Sequence, residues 1–188
     1  MNFASDNQSG VCPRIMQTLV EAASGCQSSY GNDAWSQRAE DLLKETFDTD
    51  LRVFFVATGT AANCLALSAL ARPWEAVLCH AQAHIITDET SAPEFFTGGA
   101  RLLPVATASG KLLADDLDRA LAHLPSARPH TITPAALSIT QATENGLVYT
   151  PQELAALSAR ARDSGLHVHM DGARFANAVA RLGCHPAD

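Results

Sequence analysis

Lysine is nearly absent. Lys44 and Lys111 are the only two in 188 residues, against twenty acidic residues and a formal charge of -7. With no basic cluster in the chain, neither nucleic acid nor an anionic membrane surface is expected as a partner. No apolar run reaches the length that spans a bilayer. The first residues carry neither a basic nor an apolar leader segment, so no signal peptide is read and a cytoplasmic location is expected. Cys12, Cys26, Cys64, Cys79 and Cys184 are odd in number and form no CxxC pair. That excludes a disulfide framework or a zinc ribbon and leaves reduced, buried thiols as the expectation. Repeats and low-complexity tracts are also missing. What remains is an ordinary globular composition, 47% hydrophobic and 18% charged, of a size for one domain or most of one.

Apolar runs alternate with segments of helical spacing. Pro13 opens a helix with Ile15, Met16, Leu19, Val20 and Ala23 on one face, and Trp35 to Phe47 repeats that spacing. Val53–Ala57 reads as a strand covered on both faces. Further strands are expected at Ala76–Cys79, Arg101–Val105, Ala136–Thr140 and Leu166–Met170. Between them lie helices through Leu65–Leu70, Leu117–Leu124 and, after the capping box Thr150-Pro151-Gln152-Glu153, through Leu154–Ala161. A last helix runs on Phe175, Val179 and Leu182. The fold class is therefore α/β, three-layered, with a mainly parallel sheet and helices on both faces.

In such sheets ligands gather at the carboxyl ends of strands. Two stretches place chemistry there. Thr58-Gly59-Thr60 puts backbone N–H groups at a helix N-terminus, which suits an anion such as phosphate; a plain strand–helix turn reads equally well. No Gly-Lys-Thr/Ser follows, so it is not a Walker A loop. His169-Met170-Asp171-Gly172-Ala173-Arg174 ends a strand in a carboxylate and an arginine. Asp171 would stay ionised when buried only with a partner, such as a cationic ring nitrogen; an internal Asp171–Arg174 ion pair accounts for the same spacing. Alternation puts His167, His169 and Asp171 on one face, which invites a zinc reading. The further histidine usual in that pattern is missing, so no metal is expected and both histidines default to packing. His84 follows a strand, where an imidazole could stack on a flat cofactor and handle protons, or simply be exposed. Thr143 and Glu144 end another strand and face either the pocket or a turn. Lys44 reads as solvated and Lys111, in the turn Ser109-Gly110-Lys111, as exposed.

The ordered set of segments resembles the threonine aldolases of the β-eliminating lyase superfamily, pyridoxal-phosphate (PLP) enzymes of fold type I. The segments are Phe3-Ala4-Ser5-Asp6-Asn7, Tyr30-Gly31, Thr58-Gly59-Thr60-Ala61-Ala62-Asn63, Ala83-His84, Ala92-Pro93-Glu94-Phe95-Phe96, Ile139-Thr140-Gln141-Ala142-Thr143-Glu144 and His169 to Phe175. The resemblance implies pyridoxal 5'-phosphate as cofactor, with Gly59 and Thr60 at its phosphate. It implies Asp171 at the pyridinium nitrogen, Arg174 at the ring-oxygen side, and His84 stacked on the ring near the substrate hydroxyl. Ser5 and Tyr30 would bind substrate. The implied reaction is cleavage of L-threonine, L-allo-threonine or a related β-hydroxy-α-amino acid to glycine and an aldehyde. His84, with or without a water, is favoured as the base, because the histidine that other branches carry near Thr143 is not here.

The resemblance further implies an N-terminal arm and helix over 1–30 and an incomplete large domain over 31–188. The Schiff-base lysine and the small domain would lie beyond Asp188. A homodimer or homotetramer is implied for the full-length form, and little turnover for these residues alone. The alternatives are a non-catalytic PLP- or phosphate-binding or dimerisation fragment, and another PLP lyase of the same fold.

Overall fold

The structure is a computed structural model, described for residues 8–125 and 130–188. It divides into two compact units, essentially residues 1–53 and 54–186. The first holds α1 (Pro13–Ala22) and α2 (Ala34–Phe47), neither with a buried residue. Pro13 opens α1, and Asp33 caps α2 by accepting the Ser36 amide. Lys44 lies on Glu40, one helical turn before it, at 2.9 Å.

The second unit carries α3 (Gly59–Leu70), β1 (Glu75–His80), α4 (His84–Thr87), α5 (Ala92–Phe96), β2 (Arg101–Val105), α6 (Ala114–His123), β3 (Thr133–Thr140), α7 (Pro151–Asp163), β4 (His167–Asp171) and α8 (Phe175–Leu182). The four strands form one parallel sheet in the order β2-β1-β3-β4. Alternation along each strand sends side chains to two separate cores. Val77, Cys79 and Ala136 pack with Leu67, Ile85 and Leu102. Leu78, Leu137 and Ile139 pack with Leu117, Tyr149 and Leu157. The sheet is thus covered on both faces, the three-layer α/β arrangement expected.

Three expectations are corrected. Val53–Ala57 joins no sheet among the described residues; Phe54 and Phe55 are 83% and 69% exposed. A run of strand-forming residues becomes a strand only when a neighbour supplies the ladder, and none of β1 to β4 does. Lys111 is not exposed. Its Nζ donates to both carboxylate oxygens of Glu153 at 2.7 Å and to the carbonyl of Val148. Of the five free cysteines only Cys64 and Cys79 are buried, while Cys12 and Cys26 are exposed. Burial pushes the Cys79 thiol up to about 12, so it is inert at neutral pH.

Candidate active site at the carboxyl end of the sheet

α3 is built to present its first turn. Thr58 caps it, with Oγ1 accepting the Ala61 amide at 3.1 Å and the carbonyl accepting that of Ala62. Those bonds leave Gly59 and Thr60 as the first-turn donors for an outside anion. Nothing lies within 4 Å of where a Gly59 side chain would begin, so the approach to its backbone is open. One turn further, Asn63 is on the same face of the helix and is buried.

Asp171 ends β4 as a buried carboxylate. Oδ1 accepts the Ala173 amide at 3.0 Å, and Oδ2 accepts Nδ2 of Asn63 at 3.0 Å. The same Asn63 nitrogen donates to Oε1 of Glu89 at 2.8 Å. Glu89 is 5% exposed and receives a second bond on Oε1, from the His84 ring at Nδ1, also 2.8 Å. His84 is the first residue of α4. Its backbone N–H donates to Glu144 Oε1 at 3.0 Å. Glu144 in turn lies 3.4 Å from an Arg174 guanidinium nitrogen, and Arg174 Nε donates to the carbonyl of Ala142. A chain of polar contacts therefore runs Asp171–Asn63–Glu89–His84–Glu144–Arg174, drawn from the ends of β3 and β4 and from two helices.

The structure thus brings His84, Asp171 and Arg174 into one network, with Gly59 and Thr60 one turn from its Asn63 member. Arg174 is held by Glu144 and Ala142, which replaces the internal Asp171–Arg174 pair as the account of its position. Glu144 lies in the turn after β3, as its turn reading has it, and from there its carboxylate meets the His84 amide and Arg174. Thr143 is buried, and its hydroxyl accepts the Leu147 amide within the turn. Tyr30 belongs to the first unit and is 97% exposed. Ser5 lies outside the described residues.

Of the two histidines expected to pack, His169 does, with Nδ1 2.9 Å from the buried Ser138 hydroxyl, while His167 at the start of β4 is exposed. Desolvation holds the His169 pKa below the ordinary imidazole value, against the pull of Asp171 and Glu89. The group that crowds together among the described residues is instead His84, Glu89 and Asp171, whose ligand atoms lie within 4.8 Å of one another. Its carboxylates already accept from Asn63 and the His84 ring. A surface groove between β2 and α6, lined by Leu103, Val105, Arg119 and His123, shares no residue with this network.

Asn63 and Glu89 are the members that sequence reasoning gave no role. Asn63 stands four residues after Gly59, hence on the same side of the helix. Glu89 follows His84 by five residues in a stretch without clear periodicity, and only the α4 turn folds it back.

Comparison with known proteins bears on the family and the fold. The family profile described as Beta-eliminating lyase matches residues 2–188. The chain is 49% identical over 186 residues to the low specificity L-threonine aldolase of Pseudomonas aeruginosa, covering 99% of this chain and 53% of that protein. Against the Saccharomyces cerevisiae low specificity L-threonine aldolase the identity is 29%, over 97% of this chain and 46% of that one. The Leishmania major threonine aldolase structure superposes with a TM-score of 0.91 at 33% identity, over 98% of this chain and 54% of that one. The chain spans about half the length of the curated relatives it matches. On the family match and the shared fold, it belongs to the beta-eliminating lyase family.

Proposed function

We propose that these residues form the cofactor-cradling part of a pyridoxal-phosphate-dependent aldolase that cleaves threonine-like β-hydroxy-α-amino acids to glycine and an aldehyde. The observation that carries the reading is Asp171. It is a buried carboxylate at a strand end, fixed by two donors, of which Asn63 stands one helical turn from the open N-terminus of α3. That arrangement fits a flat ligand with a cationic ring nitrogen at one end and a phosphate at the other. Gly59 and Thr60 would hold the phosphate, Asp171 the ring nitrogen, and Arg174 the ring-oxygen side. When bound, pyridoxal phosphate supplies the electron sink for breaking the Cα–Cβ bond.

The chain's own contribution to the reaction centres on His84. With Nδ1 donating to Glu89, Nε2 is the ring's free acceptor and can take the proton of the substrate β-hydroxyl. Glu144 anchors the His84 backbone, so the residue is held at its amide and at Nδ1. Ser5 and Tyr30 complete the proposal as substrate contacts. Neither lysine suits covalent attachment: Lys111 is clamped by Glu153 and Lys44 lies on Glu40. The 188 residues by themselves should therefore turn over little substrate.

Titration with pyridoxal phosphate, followed by its visible absorption, tests the reading. Saturable binding is expected, weakened at least about tenfold in Asp171→Asn, a loss of about 1.4 kcal/mol. Borohydride treatment and peptide mapping should find no adduct on Lys44 or Lys111. Absence of saturable binding would sink the proposal. An adduct on either lysine would instead make the chain a self-contained catalyst.

A further inference from the structure

The geometry points to Asn63 as a positioning residue that ties Asp171, the carboxylate proposed to meet the cofactor's ring nitrogen, to the proposed catalytic His84. This inference rests on the reading above. Asp171 and Glu89 are both buried, at 9% and 5% exposure, and an oxygen of each lies within 4.8 Å of the other. One amide group lies between them. Both its partners are acceptors, so the NH2 end of Asn63 must face the pair, whichever way the amide is drawn. Its two hydrogens serve one carboxylate each, Glu89 Oε1 at 2.8 Å and Asp171 Oδ2 at 3.0 Å.

The consequence reaches His84. Glu89 accepts both bonds on Oε1, from Asn63 and from His84 Nδ1, while its buried Oε2 has no hydrogen-bond partner among the described residues. The carboxylate therefore has no second anchor. Removing the Asn63 donor frees it to swing away from Asp171, and the His84 ring loses the acceptor that fixes its tautomer. Asn63 thus acts on the substrate-facing Nε2 without touching it, and does so through Glu89. The same amide holds Asp171 toward the ring nitrogen it is proposed to meet.

The test uses the 188-residue chain, labelled with 15N, at pH 8, without cofactor. Long-range 1H–15N spectra report the His84 tautomer, assigned by signal loss in His84→Gln. The wild type should show protonated Nδ1 and bare Nε2. Asn63→Leu, of similar volume, should shift His84 toward the opposite tautomer. Glu89→Leu should do the same, and the double variant should shift it no further. Wild-type His84 signals in Asn63→Leu, or additive effects of the two changes, would overturn the inference. Should Asn63→Leu fail to fold by circular dichroism, Asn63→Ala, which removes both amide donors without added bulk, is read by the same criteria.

Pyridoxal-phosphate titration gives the second readout, with affinity expected to fall at least about tenfold in Asn63→Leu. Unchanged affinity there would remove Asp171 from the device. Failure of the wild type to bind would overturn the functional reading. The tautomer comparison, made without cofactor, would still decide the link from Asn63 to His84.

Discussion

Two stretches of this chain share one grammar and meet different fates. Leu166–Phe175 and Val53–Asn63 each run from apolar residues through a glycine-bearing turn into a helix. In the first, residues 167–171 pair in register with residues 136–140 of β3 and end in a buried carboxylate. In the second, the apolar run has no ladder partner among the described residues, yet the helix after it is fully formed. The difference separates local from non-local causes. α3 needs only Thr58 as cap and a helical sequence behind it. A parallel strand needs a neighbour that may be far away in sequence. The two stretches then converge, because Asn63 of one bonds Asp171 of the other.

The comparison breaks most visibly in the laddered region. Leu137 is fully buried in β3, between β1 and β4. Leu137→Ala should cost about 2–5 kcal/mol, read as a lowered urea midpoint, because the site cannot collapse around the cavity. A cost below about 1 kcal/mol would mean the sheet is loosely packed. Thr58→Ala probes the local cause and should cost about 1 kcal/mol. A loss confined to α3 in hydrogen exchange would agree with a cap acting on its own helix. A loss spread across β3 and β4 would show that the helix start is not a local affair.

A third prediction concerns pH. His169 is buried in β4, and its pKa is held below the ordinary 6.5, chiefly by desolvation. The folded state therefore resists a proton that the unfolded chain takes up. Its contribution to stability is complete above about 6.5, the unfolded value, and is lost as pH falls through the lowered folded value. His169→Leu should flatten the stability profile just below pH 6.5 and leave the slope above it unchanged. An identical slope in both proteins would mean that His169 is solvated.

What the sequence disclosed follows the same division. β2 was legible residue for residue, as were the cap and first-turn proline of α7, since apolar runs and capping boxes are local signals. Asp171, Arg174 and His84 were legible as candidates because strand ends and turns mark them. Of their side-chain partners, Glu144 was marked and Glu89 and Asn63 were not. Glu89 reaches His84 only through the α4 turn, and Asn63 reaches Asp171 across 108 residues. Lys111 looked exposed in its Ser-Gly-Lys turn, because the carboxylate that captures it is 42 residues away. Val53–Ala57 misled in the other direction, since its composition carries no information about whether a neighbour exists.

The smallest expected effect lies in that unpaired run. Phe55 is 69% exposed, so Phe55→Ser removes little buried surface. In the 188-residue chain its unfolding free energy should stay within about 0.5 kcal/mol of wild type, as for other substitutions away from packed or capped positions. Solubility is the more sensitive readout. Phe54, Phe55 and Val56 form consecutive exposed apolar residues on backbone with no ladder partner, a template for edge-to-edge association. Phe55→Ser should raise the concentration at which light scattering first appears, while Leu137→Ala should lower it by populating unfolded chain. If Phe55→Ser instead cost more than about 1 kcal/mol, the run would be packed in solution. The contrast between a laddered and an unladdered strand would then collapse into two strands of one sheet.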